Sequence, residues 1–358
     1  MKFLKVLFAI VLVAAIVVGA LYWRRKHASP TPLSDEAAPE ATATDGAGHG
    51  ASRGPLLGGA GRLRIFALDV GQGDSLLIVT PAGKAVLVDG GRGDAANTVL
   101  AALKRAGVNS IDLAVATHPH SDHIVGLRQV IERVPVRALL DSGQKYASEE
   151  YERLLNAVKQ RKVKFIPARR AMTFDLDSGV RLETENPQGD GNWITQVRAG
   201  GSVENANSVV MRLSYGGFAM IFTGDAEFET EALILKSALS LKAQVLKVGH
   251  HGSRYATSGR FLETVAPETA VISCGADNRY SHPAQSTLDR LKKAGIKVYR
   301  TDLSGEIAIE TDGKTYQVQT NRTASLQSLW LGRLGLDDLA PPRAARAGVP
   351  RPRNEERD

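Results

Sequence analysis

The most constraining feature of this chain is a dense cluster of potential metal ligands after a short apolar segment. The segment Ile111–Ala116 has the composition of a buried strand, and the cluster that follows reads Thr117-His118-Pro119-His120-Ser121-Asp122-His123. Imidazole and carboxylate side chains suit zinc and similar divalent cations. Because Pro119 and its polar neighbours disfavour a helix, we expect these ligands on a loop before a helix that begins near Ile124. The sequence therefore predicts a metal site at a strand end.

The spacing of the cluster accommodates two ions. His118 and His120 can face one ion while Asp122 and His123 face the other. Two ions about 3.5–4 Å apart would activate a water and hold a leaving oxygen, which makes Asp122 a catalytic candidate as well as a ligand. A solvated histidine-rich turn is the alternative. Four ligating side chains within six positions favour the metal site.

Further motifs along the chain extend this pattern. The cluster resembles the signature of the metallo-β-lactamase fold, and the motifs together are similar, in order, to the hydrolase domain of the ComEC/Rec2 competence-protein family. The resemblance runs from about Leu63 to about Thr320 and implies an αββα sandwich. The motifs that carry it are Asp69-Val70-Gly71-Gln72-Gly73-Asp74-Ser75, Val88-Asp89-Gly90-Gly91, Thr223-Gly224-Asp225 and Gly249-His250-His251-Gly252-Ser253.

The resemblance assigns further ligands. Asp225 is expected to bridge the two ions, and one of His250 and His251 to complete the second site. Adjacent residues on an extended chain point in opposite directions, so the other histidine would contact substrate or protonate a leaving group. The sequence leaves open which is which; the predictions below take His251 as the ligand and His250 as catalytic. His282, before Pro283, is a catalytic candidate that contacts phosphate or acts as a general acid.

Several polar residues beside these motifs are predicted to contact substrate or to orient ligands. Asp89 is expected to accept a hydrogen bond from a metal-bound imidazole, because such rings need a partner for their second nitrogen. Asp74 and Ser75 either cap a turn or contact substrate. The remaining candidates are Asn207, Ser253 and Arg254.

The sequence departs from the pattern of this fold at the ligands of the first ion. Many hydrolases of this fold supply another histidine between the central cluster and the bridging aspartate, but no histidine occurs here between His123 and His250. An Asn/Ser-rich stretch, residues 205–208, occupies that region. We expect His118, His120 and Asp225, with water or an asparagine oxygen, to hold this ion. Zinc is the expected metal, and manganese is the alternative because the ligand set is oxygen-rich.

The N-terminal region predicts a membrane anchor. Val6–Trp23 carries no charge and would span roughly 27 Å as a helix, close to the thickness of a bilayer's hydrocarbon core. An uncleaved anchor, residues 1–26, is favoured over a cleaved signal peptide because the apolar segment is long and ends in Tyr22-Trp23-Arg24-Arg25-Lys26. We expect an extracytoplasmic head, although basic residues flank both ends and leave orientation open.

Domain boundaries follow composition. Residues 27–61 are rich in Ala, Pro, Thr, Ser and Gly and are predicted to form a disordered linker before the hydrolase domain at 62–322. Residues 323–358 form a tail that we expect to be mostly disordered. The chain's 43% hydrophobic residues suffice for a globular core, and its formal charge of +7 permits an anionic partner. The single cysteine, Cys274, excludes an intrachain disulfide and is expected to be a buried thiol.

Apolar runs and glycines predict a βββαβ beginning, with a poorly patterned region over 162–198. We predict strands at Leu63–Val70, Ser75–Val79, Lys84–Val88, Ile111–Ala116, Val136–Leu140, 164–166, 180–183, Val209–Tyr215, Phe218–Phe222, Val245–Val248 and Glu268–Cys274, and helices at Ala95–Ala106, Ile124–Arg133, Glu149–Arg161 and Ala284–Ala294.

These observations favour a membrane-tethered hydrolase that cleaves phosphodiesters with a water activated by two metals. Nucleic acid is the substrate that the resemblance implies, and another phosphodiester is the alternative. Full-length members of that family also carry a multi-helix channel without a counterpart here, so we expect this chain not to translocate DNA itself. Hydrolysis of a lactone, thioester or β-lactam remains open because fold does not fix function, as does a non-catalytic tethered binding module. The sequence does not indicate an oligomeric state.

Overall fold

The structure, a computed structural model, describes residues 61–322 except Asp190 and Asp277. Fifteen strands occur in these residues: β1 (Leu63–Ala67), β2 (Leu76–Val79), β3 (Ala85–Val88), β4 (Leu113–Ala116), β5 (Ala138–Asp141), β6 (Lys164–Pro167), β7 (Thr173–Asp177), β8 (Val180–Asn186), β9 (Val210–Tyr215), β10 (Phe218–Phe222), β11 (Val245–Lys247), β12 (Thr269–Ile272), β13 (Lys297–Arg300), β14 (Ile307–Thr311) and β15 (Tyr316–Thr320).

The same residues form eight α-helices, some of a single turn. They are α1 (Ala96–Arg105), α2 (Ser121–Arg133), α3 (Glu149–Gln160), α4 (Val203–Ala206), α5 (Phe228–Ile234), α6 (Gly259–Val265), α7 (Gln285–Lys293) and α8 (Thr301–Ser304).

The strands build two mixed sheets of related design. The first has the order β15-β14-β1-β2-β3-β4-β5-β6 and the second β13-β12-β11-β10-β9-β8-β7. In each sheet an antiparallel meander leads into a run of three parallel pairings, β3 to β6 in the first and β10 to β13 in the second. The parallel strands matter for function, because ligands of such sheets bind outside the carboxyl ends of the strands.

Three apolar layers hold the sandwich together. Side chains alternate along β1, so Leu63, Ile65 and Ala67 pack between the sheets whereas Phe66 packs under helices α1 to α3. The second sheet packs against α5, α6 and α7 through residues such as Phe261 and Leu291. The predicted αββα sandwich is therefore present.

The helix that follows the metal cluster begins earlier than predicted. It starts at Ser121, so Asp122 and His123 lie in its first turn and not on a loop. His120 has an extended backbone, with φ −73° and ψ 148°, and acts as the N-cap, which leaves Pro119 outside the helix where its ring is tolerated. Asp122 in the first turn also complements the helix dipole.

Glycines allow this helix to sit directly against the first sheet. A Cβ on Gly90 would lie 2.1 Å from the Leu127 nitrogen, and one on Gly126 would lie 2.0 Å from the Gly90 oxygen. The Gly90 N–H donates to the His123 carbonyl at 2.8 Å. The close approach fixes the first turn of α2, and with it Asp122 and His123, relative to the strand ends.

Other elements lie beyond the sequence predictions. No predicted range covers strands β7, β13, β14 and β15 or helices α4, α5, α6 and α8. Strands β14 and β15 return from the second half to extend the first sheet beside β1. The predicted anchor, linker and tail lie almost entirely outside the described residues. Within residues 61–322, Asp190 and Asp277 apart, no helix has both the length and the apolar character needed to cross a bilayer.

Candidate metal centre

The predicted ligands converge at the carboxyl ends of parallel strands from both sheets. His118, His120, Asp122 and His123 follow β4 in the first sheet. Asp225 follows β10, the pair His250-His251 follows β11, and His282 lies between β12 and α7 in the second sheet. The two sheets thus face each other with their ligand-bearing ends on one side of the sandwich.

A single buried carboxylate organises the ligands of the first sheet. Asp89 Oδ1 accepts a hydrogen bond from the backbone N–H of Thr117 at 2.8 Å, and Asp89 Oδ2 accepts one from the Thr117 hydroxyl at 2.7 Å. Asp89 Oδ2 also lies 2.9 Å from His123 Nδ1. Asp89 is completely buried, so this contact fixes the ring with Nε2 directed at the centre.

Asp225 is the hub of the arrangement. One of its carboxylate oxygens lies close to four imidazole nitrogens, one from each of four histidines. The distances from Asp225 Oδ2 are 3.7 Å to His118 Nε2, 3.5 Å to His123 Nε2, 3.6 Å to His250 Nε2 and 3.5 Å to His251 Nε2. Such a carboxylate is placed to bridge two cations.

One group of ligands surrounds the predicted second ion. His251 Nε2 lies 3.6 Å from Asp122 Oδ2, and His123 Nε2 lies 4.0 Å from the same oxygen. His251 is oriented through Nδ1, which is 2.9 Å from the Ser273 carbonyl and 3.5 Å from Asp74 Oδ1. His251 is therefore placed as a ligand.

A second group lies around the predicted first ion. His118 Nε2 and His120 Nδ1 are 3.1 Å apart, close enough to share one cation. Asn205 is buried, lines the cavity above the centre and has its Oδ1 without a hydrogen-bond partner among the described residues. Its Oδ1 is therefore a candidate for the asparagine oxygen that the sequence predicted for this site.

Both adjacent histidines face the centre, contrary to the expectation that they point in opposite directions. His250 and His251 have positive φ values of 44° and 53°, a left-handed conformation that few non-glycine residues adopt. Their rings lie 5.9 Å apart. His250 Nδ1 is 2.8 Å from Glu227 Oε1, so its Nε2 is aimed at Asp225. Strained backbone at a site of this kind accompanies function.

The donors fit divalent cations. Asp225 Oδ1, His123 Nε2 and His251 Nε2 are buried and have no hydrogen-bond partner among the described residues. Such atoms are costly to bury unless something else binds them. Five carboxylates lie in or beside the centre, and only two of them pair with a permanent cation, Asp74 with Lys247 and Glu227 with Arg198. The remaining three carboxylates, Asp89, Asp122 and Asp225, carry negative charge that divalent cations such as zinc or manganese would offset.

The local charges perturb pKa values accordingly. Burial lowers the pKa of His118 well below its ordinary value, with His123 adding to the effect. Burial opposes protonation of His123 too, yet Asp225, Asp89 and Asp122 outweigh it and raise that pKa. Burial would raise the pKa of Asp122, but the neighbouring His123 and His251 hold it below its usual range. The carboxylates of the centre therefore favour positive charge among the histidines that face them.

The other predicted residues fall into two sets. Asp74 and Ser75 are buried supports: Asp74 contacts Lys247 and His251, and the Ser75 hydroxyl donates to the Asp89 carbonyl at 3.2 Å. Ser253, Arg254 and His282 line the cavity over the centre. This cavity has a volume of about 660 Å³.

Asn207, which was predicted to contact substrate or to orient a ligand, bonds to backbone groups through its side chain. Its side-chain oxygen accepts from the Ile194 N–H at 2.9 Å, and its amide donates to the carbonyls of Ile194 and Val203 at 2.9 and 2.8 Å. With all three bonds directed at backbone, Asn207 holds the 194–203 loop, and Asn205 faces the cavity instead.

His282 is held partly buried beside the two adjacent histidines, 5.2 Å from His250 between ring centres. Burial, reinforced by His250 and His251, lowers the pKa of His282 to about 4. His282 lines the cavity, so its position is compatible with both predicted roles, the phosphate contact and the general acid. Cys274 is buried, and burial raises the pKa of its thiol, which agrees with the predicted structural role.

Sequence reasoning missed two charged residues of the centre. Glu227 orients His250, and Lys247 in β11 is fully buried and bonds Asp74 across the two sheets. The sequence contained an indication of each. A lysine inside a predicted buried strand requires a partner, and a glutamate two positions after the predicted bridging aspartate lies at the same strand end.

Comparison with known proteins places this geometry in a family. Residues 68–276, more than half of the chain, match the Metallo-beta-lactamase superfamily. The chain is 36% identical over 247 residues to "Competence protein ComA" of Neisseria gonorrhoeae, covering 68% of this chain and 31% of that protein. It is 28% identical over 270 residues to "ComE operon protein 3" of Bacillus subtilis (strain 168), covering 71% of this chain and 33% of that protein.

The chain thus spans about a third of the length of these two relatives. Among solved structures, CmlA, a diiron beta-hydroxylase from Streptomyces venezuelae, is similar with a TM-score of 0.44 and 13% identity, covering 74% of this chain and 55% of that chain. The sandwich, the ligand cluster and the sequence match agree: the chain belongs to the metallo-β-lactamase superfamily.

Proposed function

We propose that this chain is a metal-dependent phosphodiesterase that acts on nucleic acid and is tethered to a membrane by its N-terminal segment. The observation that carries the proposal is the hub at Asp225, where one carboxylate oxygen lies within 3.5–3.7 Å of four imidazole nitrogens beneath an open cavity. In this proposal two cations bind there, one held by His118, His120 and Asn205 and the other by Asp122, His123 and His251, with Asp225 between them.

When bound, the ions lower the pKa of a water that attacks phosphorus and neutralise charge on the leaving oxygen. The chain's own residues set the geometry. Asp89 fixes His123, and the Ser273 carbonyl fixes His251, each through the ring nitrogen that faces away from the centre. These contacts select the tautomer in which Nε2 is free to bind a cation.

His250 completes the first cation's surroundings in this proposal. It takes the place of the histidine that is absent between His123 and His250, because its Nε2 is as close to Asp225 as those of the other ligands. Glu227 holds the ring through Nδ1, which is the carboxylate–histidine arrangement common at metal sites. The sequence-based prediction of a substrate role for His250 is the alternative.

Phosphate recognition falls to the cavity wall. His282 Nδ1 is buried without a hydrogen-bond partner among the described residues, and the exposed guanidinium of Arg254 lies on the same wall. An arginine pairs well with phosphate because its planar fork donates two parallel hydrogen bonds. The likeness to a protein named for competence, "Competence protein ComA", supports nucleic acid over other diesters.

The direct test is turnover by the full chain purified in detergent and loaded with zinc or with manganese. We expect cleavage of linear and circular DNA and of bis-nitrophenyl phosphate, with none without metal. Hydrolysis of β-lactams or lactones but not of diesters would overturn the assignment. So would a protein that binds no metal. Flotation with liposomes, compared with a chain that begins at Arg62, tests the tether: only the full chain should float.

Salt dependence tests the polymeric substrate. If Arg254 and Arg279 contact phosphates, the double Arg→Ala variant should bind single strands more weakly. Its slope of log affinity against log salt should be flatter by about 0.7 for each phosphate that is no longer neutralised. Cleavage of bis-nitrophenyl phosphate should persist, because the ligands remain. Diester turnover without measurable polynucleotide binding at low salt would contradict the nucleic-acid assignment.

A further inference from the structure

We infer that Tyr255 and Tyr280 form a base-binding subsite at the mouth of the metal cavity, which selects unpaired nucleotides beside the scissile phosphate. The inference deepens the proposed function and rests on it for the position of that phosphate. It identifies the substrate as a single-stranded polynucleotide or an unpaired end.

The first observation is where large apolar side chains are exposed. Three such residues in the described part of the chain expose more than a third of their surface: Phe165 at 39%, Tyr255 at 41% and Tyr280 at 51%. Both tyrosines line the cavity that holds the metal centre, whereas Phe165 lies on the strand β6. Exposed aromatic faces beside a concave site mark a binding surface.

Tyr280 is held in place by its own loop. The Asn278 side chain accepts from the N–H groups of Tyr280 and His282 at 3.2 and 2.9 Å, and its amide donates to the carbonyls of Gly275 and His282. The Tyr280 ring lies 5.8 Å from that of His282 with an angle of 24° between planes. A base on Tyr280 would therefore sit next to the proposed phosphate contact.

Tyr255 is rigid for a different reason. The Arg198 guanidinium lies 3.9 Å from the centre of its ring, and the Tyr255 carbonyl accepts from the Phe228 N–H at 2.9 Å. Arg198 is itself fixed by ion pairs with Glu227 at 2.5 Å and Glu229 at 3.4 Å. Arg198 is thus held by two carboxylates and supports the ring of Tyr255, a residue that remains 41% exposed.

The chemistry of these rings favours unpaired bases. Every base presents a π-face, but in a duplex both faces are covered by neighbouring base pairs, so only an unstacked base can lie on a tyrosine. Arg254 follows Ser253 beside Tyr255, and Arg279 donates to the Tyr280 hydroxyl at 3.0 Å. Each aromatic ring therefore has a guanidinium next to it in sequence, the combination of stacking surface and cation that single-strand sites use.

The experiment measures binding separately from cleavage. Fluorescence anisotropy of the full chain with chelator present compares a thymidine decamer, an abasic decamer of equal length and charge, and a duplex. We expect tighter binding of the thymidine strand than of the abasic strand or the duplex. Tyr255→Ala and Tyr280→Ala should each weaken the former about fivefold or more and leave the latter unchanged. Tyr280→Phe should retain affinity, because it keeps the ring.

Phe165→Ala is the matched control, since it removes an equally exposed ring outside the cavity, and it should change neither affinity. Equal affinity of the wild-type chain for both strands, or equal losses on both strands in the tyrosine variants, would overturn the subsite. Cleavage of the abasic strand by the metal-loaded chain reports the proposed function independently. If that cleavage fails while the base preference and its loss are observed, the stacking sites stand and the hydrolase assignment falls.

Discussion

The two sheets contribute to the centre in opposite ways. The first supplies four ligands from one short stretch, His118 to His123, and one carboxylate, Asp89, holds both Thr117 before the stretch and His123 at its end. The second supplies its ligands from separate strand ends, and each has its own support: Glu227 for His250, and the Ser273 carbonyl with Asp74 for His251. We call the first sheet's ligands the concentrated half and the second sheet's ligands the distributed half; both face Asp225. We therefore expect a substitution of a supporting residue to affect more ligands in the concentrated half than in the distributed half.

The largest expected effect comes from removing the meeting point. Asp225→Ala deletes the oxygen shared by four imidazoles, so we expect the metal content to fall towards zero and activity to drop by more than about 100-fold. Even the partners of metal-bound imidazoles are worth about 10- to 100-fold. His120→Ala removes a ligand of one ion only and should leave about half the bound metal. Elemental analysis after dialysis, with circular dichroism for folding, measures both.

Asp69→Ala serves as the control for loss of a carboxylate, because Asp69 pairs with Arg322 and does not line the cavity. It should retain metal and activity. An Asp225→Ala protein with unchanged metal content and turnover would show that the two halves do not share this residue.

A smaller effect separates the two kinds of support. Asp89→Asn keeps one acceptor oxygen, whereas the N–H and hydroxyl of Thr117 and the His123 ring all bond to the native carboxylate. We therefore expect metal affinity to fall about 100-fold. Glu227→Gln disturbs only His250 among the ligands and should lower metal affinity about 10-fold. Chelator competition measures both affinities. Equal losses in the two variants would mean that the first half is no more concentrated than the second.

The smallest effect concerns stability of the second sheet away from the centre. Glu185 on β8 is buried, and neither carboxylate oxygen has a hydrogen-bond partner among the described residues. Burial, with Glu183 adding to it, raises the pKa of Glu185 from 4.5 to about 7. A raised pKa in the fold means that the protonated form stabilises it. This stability is complete below about pH 4.5 and is lost as pH rises through about 7.

Glu185→Gln should remove that dependence and leave the variant more stable than wild type at pH 8, by about 1 kcal/mol. Denaturant unfolding at pH 5 and pH 8 measures the difference. Glu263→Gln, at an exposed position of the same half, should change stability at neither pH. A Glu185→Gln variant less stable at pH 8 than at pH 5, relative to wild type, would contradict the sign.

The concentrated half could be predicted from sequence and the distributed half only partly. The family resemblance and the αββα sandwich are confirmed, because glycine-punctuated apolar runs and a contiguous ligand cluster are local signals. The start of α2 was wrong by one turn because Pro119 was treated as part of the motif and not as the residue before the N-cap. Asn205, which lines the cavity, was not among the predicted residues, because packing around a one-turn helix decides which of its side chains face the cavity. The membrane segment stays a prediction.

The sequence by itself determined which chemistry this chain can carry, since the histidine and aspartate types and their positions after apolar strands are fixed by the covalent order. Tertiary structure alone decided how those groups are used. The left-handed turn at His250 and His251 points both rings inward, and Lys247 finds Asp74 on the opposite sheet. Glu227 orients His250 only because the fold brings the two side chains within 2.8 Å of each other. The physical reason is that these relations depend on distances between strands far apart in the chain, which packing between the two sheets sets.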